Sequence, residues 1–156
     1  MSRVDILWNL YAENCVQGRH HEAQRSTVTN WILVISGGLL GFLAQSTTNS
    51  GPIHVWMVGI FMLLMGMFGA FFTSKQSERF DLHMARARNY RFELQNKLPT
   101  QDAVDILGLK KKADQENRKD HPFMSELKLR WFFIGIHCGV AAIGLYVSIV
   151  FGIFHV

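Results

Sequence analysis

The chain has 156 residues, 16 Lys/Arg against 12 Asp/Glu, a formal net charge of +4 and 49% hydrophobic residues. These averages hide a segregation, because no charged residue occurs from Ser26 to Ser74 or from Trp131 to Val156. Helices of a soluble domain need a solvated face, so charge-free runs of this length exclude an ordinary water-soluble fold, and two cysteines, Cys15 and Cys138, exclude a disulfide framework.

Residues 1–26 are predicted to form a cytoplasmic N-terminal helix, with Val4, Leu7, Trp8, Tyr11 and Cys15 recurring at spacings of three and four. That stripe needs a neighbouring helix or the membrane interface as its partner. A first span follows at 27–45, built on Val28–Ala44. The Ser, Thr, Asn, Gly and Pro of Gln45–Pro52 read as a turn, giving an external loop at 46–52 and a second span at 53–73. Each run is close to the roughly 20 apolar residues that cross a hydrocarbon core.

Helical patterning continues past the second span. Phe80, Met84, Ala87, Arg91, Leu94 and Leu98 keep a 4-3-4-3-4 rhythm, with Arg79, Arg86, Arg88 and Glu93 outside it. A seam of period 3.5 is what packs helices into bundles. Until Pro99 stops it, the second span and its extension make one helix of about 45 residues, on the order of 70 Å at 1.5 Å per residue. Thr100 then caps a short helix from Asp102 towards Lys119, His121–Pro122 breaks it, and a third span fills 131–154. Residues 74–130 thus form a cytoplasmic helical collar. The expected fold is an all-α membrane protein with three transmembrane helices, the second extended into a long cytoplasmic helix, assembled as a symmetric oligomer.

Orientation follows from the basic residues. Arg3, Arg19 and Arg25 precede the first span, the other 13 lie in residues 75–130, and the loop between the first two spans carries none. The positive-inside rule therefore places the N-terminus and the collar in the cytoplasm and the C-terminus outside. Trp31, Trp56 and Trp131 sit where an interfacial belt belongs. With no apolar stretch before Thr27, the first span is expected to act as its own uncleaved insertion signal.

No catalytic signature is present, so the chain is expected not to be an enzyme and to need no cofactor. His20, His21, Glu22 and His83 suggest a metal only loosely, since adjacent helical residues point about 100° apart. Small-residue pairs carry more: Gly37-x-x-x-Gly41, Gly66-x-x-x-Ala70 and Gly135-x-x-x-Gly139 mark close helix approach in lipid. Three such faces on three helices point to a homo-oligomer in the bilayer as well as packing within the subunit. Two faces are candidates to line a water path: His137, Ala141, Gly144, Ser148, Gly152 and His155 on the third span, or Asn30, Val34, Gly37, Gly41 and Gln45 on the first. A mid-membrane imidazole must face protein or water, and a hydrogen bond from His137 to a neighbouring helix competes with the pore reading.

The basic residues Arg19, His20, Arg25, Arg86, Arg88, Arg91, Lys110, Lys111 and Lys112, with Tyr90 among them, form an electropositive layer beside the spans. Such a layer binds anionic lipid heads or a phosphate-bearing ligand, for which Tyr90 and Phe92 offer stacking surfaces.

Leu7–Tyr11, the polar entry Arg19–Asn30 into Trp31–Ala44, and the long helix after the second span together resemble the SLATT family of small bacterial membrane effectors, over about residues 5–98. These accompany nucleotide-producing enzymes in anti-phage defence. The third span goes beyond the minimal two-span form and is more similar to the channel effectors of Hailong-type systems. The likeness is one of layout and carries no residue-by-residue roles. It implies an oligomeric channel of the bacterial inner membrane, controlled by a short single-stranded DNA or cyclic nucleotide made by a partner enzyme. A non-conducting scaffold or accessory subunit is the alternative.

Overall fold

A computed structural model describes residues 2–46, 55–97, 106–120 and 128–153. Helix α1 runs Arg3–Ser46, α2 Val55–Lys97, α3 Ile106–Asp120 and α4 Leu129–Ile153, and the described residues contain no strand. The external loop, Leu98, the Thr100 cap and the His121–Pro122 break lie outside the described residues.

Helix α1 begins with a reciprocal cap that composition alone does not announce. The Ser2 hydroxyl accepts from the Asp5 amide at 3.1 Å while the Asp5 carboxylate accepts from the Ser2 amide at 2.8 Å, which satisfies two orphan donors of the first turn. The Ser2 backbone contact holds the Asp5 carboxyl below its ordinary value. Nothing between Glu22 and Thr27 breaks α1, so the expected N-terminal helix and first span are one element.

Packing divides the chain into two compact units. The first comprises Met1–Glu22 with Ser77–Lys128, the second Ala23–Gln76 with Leu129–Val156.

In the second unit α1, α2 and α4 each bury a narrow seam. It consists of Arg25, Thr29, Ile32, Ser36 and Leu43 on α1, Gly59, Met62, Gly66, Gly69 and Thr73 on α2, and His137, Val140, Gly144 and Val147 on α4. The alternating steps of three and four are those of helices meeting along a period near 3.5. Glycines bring α2 and α4 together. A Cβ on Gly66 would fall 2.5 Å from the Ala141 amide nitrogen, and one on Gly59 would fall 2.6 Å from that of Ser148. The large apolar side chains turn outward, including Trp31 (63% exposed), Phe71 (74%) and Tyr146 (67%). That inversion suits helices surrounded by hydrocarbon, which gives no drive to bury apolar groups between them. Three helices, α1, α2 and α4, are long and apolar enough to cross a membrane.

In the first unit the seam expected on the second helix is the face turned inward. Ala87 and Leu94 are buried, Phe80, Met84 and Arg91 half-buried, and Arg79, Arg86, Arg88 and Glu93 exposed. Facing it on α1 are Asn14 and Gly18. A Cβ on Gly18 would sit 3.2 Å from the Met84 sulfur, so this glycine admits a flexible side chain rather than a backbone.

Candidate functional site

Tyr11, Asn14, Cys15 and Gly18 lie at steps of three and one on α1 and face Phe80–Arg91 of α2 in the first unit. Beside that contact Tyr11, Cys15, Met84, Ala87, Arg88, Arg91 and Lys110 enclose an open cavity of about 210 Å³. Its lining combines apolar and aromatic side chains with three cations from α2 and α3. The Arg91 Nε is buried and has no hydrogen-bond partner among the described residues. Lys110 shares its charge with Asp114 in an exposed contact of 2.6 Å one turn along α3, which holds the Asp114 carboxyl below its ordinary value. Burial, aided by a hydrogen bond with the Cys15 thiol, pushes the Tyr11 phenol up, so it stays protonated. An apolar pocket with cations and a phenol in its lining suits an anion that carries a flat or apolar body.

Of the expected collar residues, three come together here: Arg88, Arg91 and Lys110. Tyr90 is half-buried and does not line the cavity, and neither do the exposed Arg86, Lys111 and Lys112. Arg19 and His20 are exposed on α1. Arg25 belongs to the second unit, where its guanidinium lies 4.7 Å from the centre of the Phe133 ring. Tyr11 and Cys15 were legible only as an apolar stripe, because their role depends on which helix faces them.

Next to the cavity is a histidine pair. His21 and His83 stack with ring centroids 5.3 Å apart, and His83 Nδ1 lies 3.0 Å from Asn14 Oδ1. The Asn14 amide nitrogen donates to the Leu10 carbonyl at 2.8 Å, so its oxygen is the acceptor and His83 Nδ1 carries the hydrogen. Among the described residues no group of three or more His, Cys, Asp or Glu is placed to hold a metal ion. Burial first, then the like charges of His21, Arg86 and Arg79, lower the His83 pKa against the opposing pull of Glu13. A lowered pKa means that the folded chain binds fewer protons than the unfolded one, so this contact stabilises fully above the ordinary 6.5 and loses its contribution as pH falls below it. Melting temperature in detergent is therefore expected to drop between pH 7.5 and 5.5, and His83→Gln to flatten that slope; an unchanged slope would exclude His83 as its source.

The two candidate pore faces fare differently. On α4 His137 packs inside the second unit: it is 0% exposed and its Nε2 lies 3.1 Å from Thr29 Oγ1, while His155 of the same face lies outside the described residues. Gly144 is buried against α2, and Ser148 donates to the Gly144 carbonyl at 2.9 Å. On α1, by contrast, Asn30, Val34, Gly37, Gly41 and Gln45 are all exposed. The small-residue pairs separate in the same way. Gly66 packs against Ala141 and His137, whereas Gly37, Gly41, Gly135 and Gly139 have nothing within 4 Å of a built Cβ. Gly59, Gly69 and Gly144 carry the α2–α4 contact without belonging to any of the three expected pairs. Cys138 is a free thiol exposed beside Gly139, and Cys15 is free in the cavity wall.

His137 with Thr29 is the imidazole–hydroxyl pairing that intramembrane hydrolysis would need. Yet Thr29 gives its only hydrogen to the Arg25 carbonyl at 2.9 Å, so the imidazole donates to Thr29 instead of drawing a proton from it. Comparison with family models, curated proteins and solved structures returns no match for this chain.

Proposed function

We propose that this protein is a ligand-gated oligomeric channel of a bacterial inner membrane, an effector of anti-phage defence controlled from the cytoplasm by a nucleotide or short single-stranded DNA. The cavity lined by Tyr11, Ala87, Arg88, Arg91 and Lys110 is the observation that carries the reading. The first two offer a stacking or apolar surface and the cations offer phosphate partners. Helix α2 carries both the cavity residues Ala87, Arg88 and Arg91 and the packing glycines Gly59, Gly66 and Gly69. A ligand drawn against the arginines would bias α2 between two packings, and the spans would follow. The N-terminus and residues 74–130 would be cytoplasmic and the C-terminus external. Subunits would meet through the small-residue face Gly135–Gly139 of α4, and the exposed α1 face of Asn30, Val34, Gly37 and Gly41 would be available to a water path.

A non-conducting scaffold is the second reading, favoured by the exposed large apolar side chains Trp8 (58%), Phe92 (51%) and Leu109 (60%) on the first unit, which a protein partner would cover. Ion flux from liposomes carrying the purified protein, with and without short DNA oligomers and cyclic nucleotides, separates the two. Flux that changes with one ligand class is expected. An inserted, oligomeric protein that passes no ions under any condition would establish the scaffold.

A further inference from the structure

The second unit contains a polar joint that the channel reading does not use. His137 of α4, Thr29 of α1 and Thr73 of α2 are 0%, 2% and 0% exposed. The Thr29 hydroxyl hydrogen goes to the Arg25 carbonyl at 2.9 Å, so the 3.1 Å contact between Thr29 Oγ1 and His137 Nε2 is donated by the imidazole. A neutral ring carries one hydrogen, which leaves Nδ1 as a bare acceptor. That atom is buried and has no partner among the described residues. It lies against Gly69, where any Cβ would collide with the ring.

Thr73 stands one turn along α2 from Gly69. Residues four apart on a helix keep their Cβ atoms about 5–6 Å apart on one face, so the Thr73 side chain belongs beside Nδ1. Thr29, Ser74 and Ser148 each return their hydroxyl to the carbonyl four residues back. Thr73 does not: its Oγ1 is buried without a partner. A hydroxyl with a hydrogen to give and an imidazole nitrogen with a lone pair to receive it are thus both buried on the packed faces of α2 and α4, and they do not bond to each other. Each orphaned group carries an unrelieved desolvation cost, and one molecule with a donor and an acceptor relieves both.

We propose that the three-helix core binds one water molecule between His137 Nδ1 and Thr73 Oγ1. The water donates to Nδ1 and accepts from Thr73. The resulting chain, Thr73 O–H to water to Nδ1, and Nε2–H to Thr29, ties all three spans at one depth and fixes the imidazole in its Nε2–H form. It also keeps a neutral proton acceptor in contact with an exchangeable hydrogen inside the apolar layer. The joint holds whether or not the assembly conducts.

Nitrogen-15 spectra of histidine-labelled protein in bilayers test it, with His137→Gln identifying the ring's signals. The wild type is expected to show an unprotonated, hydrogen-bonded Nδ1, a protonated Nε2 and magnetisation transfer from water to the ring. Thr73→Val should abolish the transfer and move Nδ1 to the position of an unbonded acceptor, while Thr73→Ser keeps both. Unchanged His83 signals in each variant report that the fold is retained. A ring protonated at Nδ1, a hydrogen-bonded Nδ1 with no transfer from water, or transfer undiminished in Thr73→Val would each overturn the proposal.

Discussion

Gly66→Leu is expected to abolish the folded bundle of α1, α2 and α4. The first added carbon would lie 2.5 Å from the Ala141 nitrogen and 2.7 Å from the His137 carbonyl oxygen. Both are backbone atoms of a helix and cannot turn aside, so α2 and α4 must separate. Overpacking of a closed contact commonly costs about 1–3 kcal/mol. Here the whole length of the interface would open, because Gly59, Gly69 and Gly144 share the same close approach. The variant should give little monodisperse protein by size-exclusion chromatography in mild detergent. Gly37→Leu is the matched control, since nothing lies within 4 Å of its built Cβ. It should keep the wild-type melting temperature. A Gly66→Leu protein that melts like the wild type would show that the α2–α4 contact is looser than these distances require.

Under the proposed channel function, Arg88→Glu with Arg91→Glu removes the ligand response. Both guanidinium groups border the cavity, and hydrogen bonds to charged groups contribute about 1.5–3 kcal/mol each. Losing two predicts affinity at least about 100-fold weaker, since 1.4 kcal/mol is a factor of ten. Reversal adds repulsion of the phosphate. Arg86→Glu should change affinity by no more than a few-fold, because Arg86 does not line the cavity. Binding of a fluorescent oligonucleotide and ligand-dependent flux would be read together, with oligomer size checked in each variant. Equal losses from Arg86→Glu and from the double variant would mean that a diffuse basic layer, and no defined pocket, holds the ligand.

Much of this architecture is written in one-dimensional pattern. The charge-free runs at 26–74 and 131–156 mark three apolar helices, because a helix meeting lipid leaves no place for a charge. The Phe80–Leu94 seam is equally legible, since a spacing of 3.5 residues is itself the geometry of a buried helix face. The capping pair Ser2 and Asp5 is also local, three residues apart.

What the sequence left open depends on which helix turns towards which. Gly37-x-x-x-Gly41 and Gly66-x-x-x-Ala70 look alike as text, yet Gly66 meets a backbone and Gly37 meets nothing. Only the rotation of α2 against α4 distinguishes them. The same rotation takes His137 into the core beside Thr29, 108 positions away, and leaves Asn30 and Val34 on the outer face. The cavity follows the same logic: nine basic residues and one tyrosine were candidates, and the meeting of α1, α2 and α3 selects Arg88, Arg91 and Lys110 and adds Tyr11 and Cys15. Period and polarity are properties of one helix, which a sequence states directly. A site is a property of several helices, and it exists only once their packing has fixed which faces meet.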